Sequence, residues 1–265
     1  MIEPRKHVYE AGTADEDGAV VSESTRLGGL LTGLFAPGVY RCRLCATELQ
    51  YPGLCDVCGA LPPRADSADV MTLTHDARAS IPSRYDAATF GDLETLRKRV
   101  DPRGIEEMLR IRRWPVGIAI VGERDSGKST LAAAALRRIH EHAKPGAELA
   151  QVKQIGTCLW VSYLDVEETW KRQDRYQATA EDHRDWERLE RAYRLVIDNV
   201  EEDRHNSPVG KLIQRRFEHE RPTMITTWMD EETAARSFGG GVAKRMYQQT
   251  IRLRTQSERK LQVAS

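Results

Sequence analysis

The chain has 265 residues, of which 40 are lysine or arginine and 40 are aspartate or glutamate, so its formal net charge is zero. This length suits one α/β core with a small accessory domain. A neutral total excludes binding to nucleic acid through overall charge, so any such contact would need a local basic patch. No apolar run is long enough to span a membrane and no signal peptide is recognisable, so we expect a cytoplasmic protein.

Residues 1–38 are polar and rich in glycine, with one short apolar stretch at residues 30–35. A segment of this composition buries too little apolar surface to offset the entropy lost on ordering. We therefore predict a flexible N-terminal arm.

Four of the five cysteines form two C-x-x-C pairs that are separated by nine residues. Each pair can bind one tetrahedral ion through two thiolates, and the bound metal would supply the folding free energy of so small a segment. We predict a structural zinc module over residues 39–62, with an Fe–S cluster or free thiols as alternatives. The fifth cysteine, Cys158, lies in an apolar run and is predicted to be a buried core thiol. The predicted zinc ligands are Cys42, Cys45, Cys55 and Cys58.

Residues 63–80 begin with a Pro-, Asp- and Ser-rich stretch that is typical of a linker. Residues 81–90 are predicted to be extended, and helices are predicted around residues 93–100 and 104–113. Several arginines cluster near the second helix, where they form either a solvated face or a surface that contacts phosphates. They are Arg103, Arg110, Arg112 and Arg113.

Residues 122–129 read G-x-x-x-x-G-K-S, between an apolar run and an alanine-rich, helix-forming run. This pattern predicts a phosphate-binding loop, because its glycines let backbone N–H groups face phosphates and the helix N-terminus adds its positive dipole end. Lys128 would reach the β and γ oxygens, and the Ser129 hydroxyl would bind Mg²⁺. The alternative is an unrelated glycine-rich turn. The predicted nucleotide-binding residues here are Gly122, Glu123, Arg124, Asp125, Ser126, Gly127, Lys128, Ser129 and Thr130.

The core alternates between apolar strands and helical segments, which predicts a three-layer α/β fold with a five-stranded parallel sheet. The strands are predicted over residues 116–121, 157–163, 195–199, 223–228 and 250–253. The helices are predicted over residues 130–143, 166–191, 210–220 and 231–241.

The third predicted strand ends in Asp198, which is the Walker B pattern. A carboxylate at this edge would hold the Mg²⁺ shell beside the phosphate loop, and the alternative is an ordinary buried strand that ends in an acidic turn. Because the carboxyl ends of parallel strands share one edge, we expect Gly122, Asp198 and Thr227 to converge on the nucleotide. Ser129 and Asp198 are the predicted magnesium ligands.

Five stretches, in this order, resemble the AAA+ ATPases of bacterial helicase loaders (DnaC type) and of transposition helpers (IstB type). They are IPSRYDAATF at residues 81–90, the phosphate loop, LVID at 195–198, RPTMITT at 221–227 and VAKRM at 242–246. The resemblance covers about residues 80–254, and I-P-x-R-Y is more discriminating than the phosphate loop. It implies a P-loop NTPase domain of the AAA+/ASCE type over residues 81–256. The remaining tail, residues 257–265, is polar by composition.

The resemblance implies an ATPase that assembles into a homo-oligomeric ring or spiral on binding ATP. It implies that Arg245 is the arginine finger that reaches a neighbour's γ-phosphate and that Thr226 or Thr227 lies in the sensor-1 region. In loaders the N-terminal region grips the replicative helicase, and the ATPase module contacts single-stranded DNA. We therefore expect a DNA replication protein that uses ATP, Mg²⁺ and Zn²⁺, with no membrane partner.

Two positions depart from the family pattern. Asn199 stands where the family usually has a second acidic residue that polarises the attacking water, and Trp228 replaces the sensor-1 asparagine. An amide can hold a water molecule but cannot accept its proton, so we predict tight ATP binding and slow hydrolysis. Glu201 or Glu202 could substitute if the strand ends early. The predicted catalytic residues are Lys128, Asp198, Asn199 and Arg245.

Three other functions are alternatives to a helicase loader. A transposition helper ATPase would share the ATPase module but bind duplex DNA and a transposase. A P-loop kinase for a small molecule would need an arginine-bearing lid, which residues 171–175 could mimic, although the I-P-x-R-Y stretch and Arg245 argue against it. An interaction protein with a purely structural nucleotide is the third.

Overall fold

The computed structural model describes residues 9–12, 39–42, 48–49, 64–202, 207–255 and 257–258. The chain divides into two compact units, one of residues Met1–Leu73 and Ala143–Gln154 and the other of residues Thr74–His142 and Ile155–Ser265. Of the predicted zinc ligands, Cys45, Cys55 and Cys58 lie outside the described residues, as does the side chain of Cys42. The zinc module therefore stays a prediction.

The first unit contains a small antiparallel sheet in the order β1-β2-β3, formed by β1 (Tyr9–Gly12), β2 (Val39–Cys42) and β3 (Glu48–Leu49). Strand β1 lies within the segment that composition assigned to a mobile arm. Ala65 and the turn before Glu148 exchange backbone hydrogen bonds of 2.8 Å, because the Ala65 N–H donates to Ala147 and its carbonyl accepts from Gly146.

The second unit is built on a five-stranded parallel sheet in the order β5-β6-β7-β4-β8. This confirms the predicted α/β fold with five parallel strands. The strands are β4 (Gly117–Val121), β5 (Leu159–Ser162), β6 (Leu195–Val200), β7 (Thr223–Thr227) and β8 (Gln249–Arg252).

Helices cover both faces of this sheet, so alternate residues of a strand pack into two different hydrophobic cores. Ile118 and Ile120 of β4 lie on the first face and pack against the helices between residues 93 and 140, whereas Ala119 and Val121 lie on the second face and pack against the helices between residues 163 and 246. The helices are α1 (Ser67–Ala79), α2 (Leu93–Arg99), α3 (Pro102–Arg110), α4 (Lys128–His140), α5 (Leu149–Ile155), α6 (Tyr163–Gln173), α7 (Ala180–Arg191), α8 (Pro208–Glu218), α9 (Glu231–Phe238) and α10 (Gly240–Met246).

Three local predictions are wrong. Residues 81–90 are not extended but contain a 3-10 turn at Ser83–Tyr85. The charged stretch at 166–191 is not one helix but the two helices α6 and α7, each of which begins at a capping box. The helix predicted to end at residue 241 ends at Phe238, because Gly239 adopts a φ of 88°, and α10 follows it.

Two helices lie where none was predicted. Helix α1 occupies most of the segment assigned to a linker, and α5 follows α4 before strand β5. Among the residues that the structure describes, no helix is long and apolar enough to span a membrane.

Candidate nucleotide-binding site

The predicted phosphate loop connects the end of β4 to the start of α4. Gly127 has a φ of 93°, in the left-handed region that favours glycine. A β-carbon on Gly127 would lie 2.5 Å from the carbonyl oxygen of Arg99, and one on Gly122 would lie 2.7 Å from that of Leu253. Both positions therefore require glycine, and the strand, loop and helix follow each other as the sequence predicts.

The ammonium group of Lys128 is folded back onto the loop. Its Nζ donates to the carbonyl oxygens of Gly122 at 2.7 Å and Glu123 at 2.6 Å. Partial burial lowers the pKa of Lys128, and the nearby carboxylates, Asp198 first, oppose that shift. Phosphate oxygens would be stronger acceptors than these two neutral carbonyls, so the lysine fits a phosphate ligand.

Ser129 and Asp198 meet at the carboxyl edge of the sheet. The Ser129 hydroxyl donates to Oδ1 of Asp198 at 2.6 Å, and Asp198 is buried. Two oxygens that bind the same octahedral Mg²⁺ ion lie about 2.9 Å apart. A small increase in the distance between Ser129 Oγ and Asp198 Oδ1 would therefore let both atoms bind one ion. The two predicted magnesium ligands are thus close enough to serve together, although β7 lies between the strands that lead to them.

Ser126 supplies a second sign that the loop fits an anion. Its side chain is fully buried, and its Oγ has no hydrogen-bond partner within the described part of the chain. A buried hydroxyl without a partner costs about 1–3 kcal/mol. A phosphate oxygen or an ordered water in the loop would remove that cost.

Of the two threonines that the sequence predicts in the sensor-1 region, Thr226 is the one that contacts the aspartate. Its hydroxyl donates to Oδ1 of Asp198 at 2.6 Å and is fully buried. Thr227 instead donates to the Val200 carbonyl at 2.8 Å and accepts from the Met229 N–H at 3.1 Å. The backbone of Thr227 still borders the loop, because its carbonyl accepts from the Gly122 N–H at 3.2 Å.

A bulge that was not predicted from the sequence follows Asp198. Asn199 has a φ of 60°, and the register between β6 and β7 shifts there, since Ile197 pairs with Ile225 but Val200 pairs with Thr227. The Asn199 N–H donates to Oγ1 of Thr226 at 2.8 Å. The Asn199 side-chain amide donates to Oε1 of Glu201 at 2.9 Å.

Arg245 lies outside this site. Its backbone carbonyl packs so closely on Gly117 that a β-carbon there would overlap it, and its guanidinium lies 5.0 Å from the centre of the Phe217 ring. Gly117 begins β4, so Arg245 is at the amino edge of the sheet, opposite the phosphate loop. It does not contact the loop of its own chain, and a role toward a neighbouring subunit stays a prediction.

The structure also shows the exposure of the other residues that the sequence singled out. The four clustered arginines are exposed, which is compatible with both a solvated face and a surface that contacts phosphates. Cys158 is fully buried as predicted, and burial raises its pKa to about 12. Trp228 follows β7 at the carboxyl edge and is 52% exposed.

No family model matches the chain, and no curated protein matches it. Three solved structures are similar to this chain at low sequence identity. The DnaC helicase loader is 18% identical with a TM-score of 0.42, over 65% of this chain and 99% of that one. DnaI is 16% identical with a TM-score of 0.47, over 65% and 93%. A protein described as a primosome component from Streptococcus pyogenes serotype M3 is 14% identical with a TM-score of 0.45, over 72% and 97%.

Proposed function

We propose that this protein is a P-loop ATPase that binds ATP with Mg²⁺ in the loop between β4 and α4. The observation that carries this proposal is the 2.6 Å hydrogen bond between Ser129 and Asp198, beside a loop whose two glycines tolerate no β-carbon. A hydroxyl and a carboxylate at this spacing, next to a lysine that donates to two backbone carbonyls, match the needs of a magnesium-bound triphosphate.

Each residue has a distinct part in the proposal. The amides of residues 122–130 hold the phosphates, and Lys128 leaves its two carbonyls for the β and γ oxygens. Ser129 and Asp198 hold Mg²⁺, which when bound neutralises charge on the phosphate oxygens. Thr226 fixes the orientation of the Asp198 carboxylate through its 2.6 Å hydrogen bond. Asn199, next to Asp198, lacks a carboxylate, so it cannot itself accept a proton from the attacking water.

We propose that the protein acts as a helicase loader whose ATP-bound form assembles into a homo-oligomer and places a replicative helicase on single-stranded DNA. The support is the order of the five stretches that resemble AAA+ loaders. Further support is the position of Arg245 at the far edge of the sheet, from which it could reach only the nucleotide of a neighbour. The predicted zinc module would contact the helicase or DNA, or would only stabilise the N-terminal region.

Two alternatives remain distinguishable by experiment. A transposition helper would prefer duplex over single-stranded DNA in competition. A small-molecule kinase would need mobile lid arginines, whereas Arg172 forms ion pairs with Asp185 at 3.2 Å and Asp182 at 3.7 Å. This pairing favours a structural role for Arg172 over a lid.

The test is the oligomer size with and without ATP and Mg²⁺, measured by size exclusion with light scattering, alone and with a replicative helicase. We expect ATP to increase the size of the wild-type protein but not of the Asp198→Asn variant. Nucleotide binding without any change in size would favour an interaction protein with a structural nucleotide. Failure of the wild-type protein to bind ATP would overturn the proposal.

A further inference from the structure

We propose that Glu201 is the carboxylate that orients and deprotonates the attacking water, and that Asn199 is its positioning residue. This inference rests on the proposed ATPase function and supplies the general base that the sequence lacks beside Asp198. It follows from the bulge at Asn199 and from the hydrogen bond between these two side chains.

The bulge changes which residue follows Asp198 in the register of the sheet. Ile197 pairs with Ile225 and Val200 pairs with Thr227, so Asp198 and Asn199 together stand opposite Thr226. The place after the aspartate is thus taken by Val200, which is fully buried and apolar. The next residue is Glu201, an exposed carboxylate at the edge where the loop lies.

A continuous chain of hydrogen bonds links Glu201 to the magnesium ligands. Ser129 and Thr226 both donate to Oδ1 of Asp198 at 2.6 Å, the Asn199 N–H donates to Thr226 at 2.8 Å, and the Asn199 amide donates to Glu201 at 2.9 Å. The left-handed conformation of Asn199, at a φ of 60°, is one that asparagine tolerates better than most residues. Strained backbone of this kind is often retained at functional sites.

The chemistry is a hydrolysis in which Glu201 accepts one proton of the attacking water. The water oxygen forms a bond to the γ-phosphorus while the bond from that phosphorus to the β–γ bridging oxygen breaks, and the electron pair of the broken bond stays on ADP. The proton held by Glu201 then passes to solvent, which restores the carboxylate. Oε1 is held by Asn199, so Oε2 can take the water.

The test compares Glu201→Gln with Glu202→Gln, two equal charge changes one residue apart. A positioned general base contributes about 100- to 10,000-fold to rate, so Glu201→Gln should lower the ATPase kcat at least about 100-fold. Glu202→Gln should leave kcat within about threefold of wild type. Equal loss in both variants, or no loss in Glu201→Gln, would overturn the assignment.

A readout other than turnover separates this inference from the proposed function. The affinity for a fluorescent ATP analogue with Mg²⁺, and the ATP-dependent oligomer size, should be unchanged in Glu201→Gln, because the side chain of Glu201 is hydrogen-bonded to Asn199 and is proposed to act on the water and not on the phosphates or Mg²⁺. Normal binding with full turnover in Glu201→Gln refutes only the assignment of Glu201. Absence of nucleotide binding in the wild-type protein refutes the ATPase itself.

Asn199 supplies the test of positioning. Asn199→Ala removes the amide that holds Oε1, so we expect kcat to fall about tenfold with an unchanged KM. Asn199→Asp replaces that donor with a second carboxylate beside Glu201, so it should also lower kcat. A rise in kcat in Asn199→Asp, together with no effect of Glu201→Gln, would instead assign the water to residue 199.

Discussion

The hydroxyl of Thr226 bridges two neighbouring groups of β6, since it donates to Oδ1 of Asp198 at 2.6 Å and accepts from the backbone N–H of Asn199 at 2.8 Å. One buried side chain of β7 thereby fixes both the carboxylate predicted to hold magnesium and the bulge that follows it. The pairing of β7 with β6 therefore positions Asp198 within the candidate site.

Loss of this hydroxyl should be costly. Thr226→Val keeps the shape but leaves the Asn199 N–H and the Asp198 carboxylate each short of a partner, so we expect the free energy of unfolding to fall by about 1–3 kcal/mol. Urea denaturation measures this. Thr226→Ser retains the hydroxyl and serves as the control, and an equal loss in both variants would attribute the effect to packing instead.

The buried His140 should make stability depend on pH. Burial, reinforced by Arg78 and Arg137, lowers the pKa of His140 to about 4 from 6.5. Between pH 4 and 6.5 the unfolded chain therefore binds a proton that the folded chain does not bind. This contribution to the free energy of unfolding is fully present above pH 6.5 and is lost as pH falls toward 4. The full effect is up to about 3 kcal/mol.

The check is urea unfolding of the wild-type protein and of His140→Leu across pH 4 to 7. Carboxylates contribute to acid sensitivity in both proteins, so the difference between the two curves isolates the histidine. We expect the free energy of unfolding of the wild-type protein, relative to that of His140→Leu, to decrease as pH falls. A constant difference across the range would contradict a neutral, buried His140.

Arg245 should matter for assembly and not for binding in its own chain. Arg245→Ala loses its contact with the Phe217 ring, which is worth about 0.5–1 kcal/mol of stability, but it leaves the phosphate loop untouched. We expect unchanged affinity for the ATP analogue and a loss of ATP-dependent oligomer growth and turnover. Lys244→Ala, an exposed neighbour in the same helix, is the matched control. Weaker nucleotide binding by the monomer in Arg245→Ala would argue against a role in trans.

The zinc module is open to a direct measurement. Metal analysis of the purified protein should give about one zinc ion per chain, which the double substitution of Cys55 and Cys58 by serine removes. Cys158→Ser should keep the zinc, because Cys158 is buried in the core of the parallel sheet with its pKa raised to about 12. Iron in place of zinc would favour the Fe–S alternative, and no metal would favour free thiols.

The sequence predicts the loop and the five strands well because both rest on strong, local constraints. G-x-x-x-x-G-K-S allows few substitutes at each position, and apolar runs of strand length stand out between charged helices. Asp198 follows from the same logic, since a parallel strand must end at the edge that holds the loop.

Other features were less accessible to sequence reasoning. The bulge at Asn199 leaves no periodic signal, because it depends on the register against β7. Helix α1 is rich in alanine, aspartate and threonine and lacks a clear apolar stripe. The break between α6 and α7 was detectable, since Thr179 and Asp182 form a capping box that marks a new helix start.

The central claim is that a triphosphate binds the loop after β4 with its metal between Ser129 and Asp198. A crystal structure with a non-hydrolysable ATP analogue and Mn²⁺, located by its anomalous scattering, tests this most directly. We predict the manganese within about 2.3 Å of Ser129 Oγ, with Asp198 bound to it directly or through one water molecule, and the phosphates on the amides of residues 122–130. A nucleotide bound elsewhere, or a metal remote from both side chains, would contradict the account.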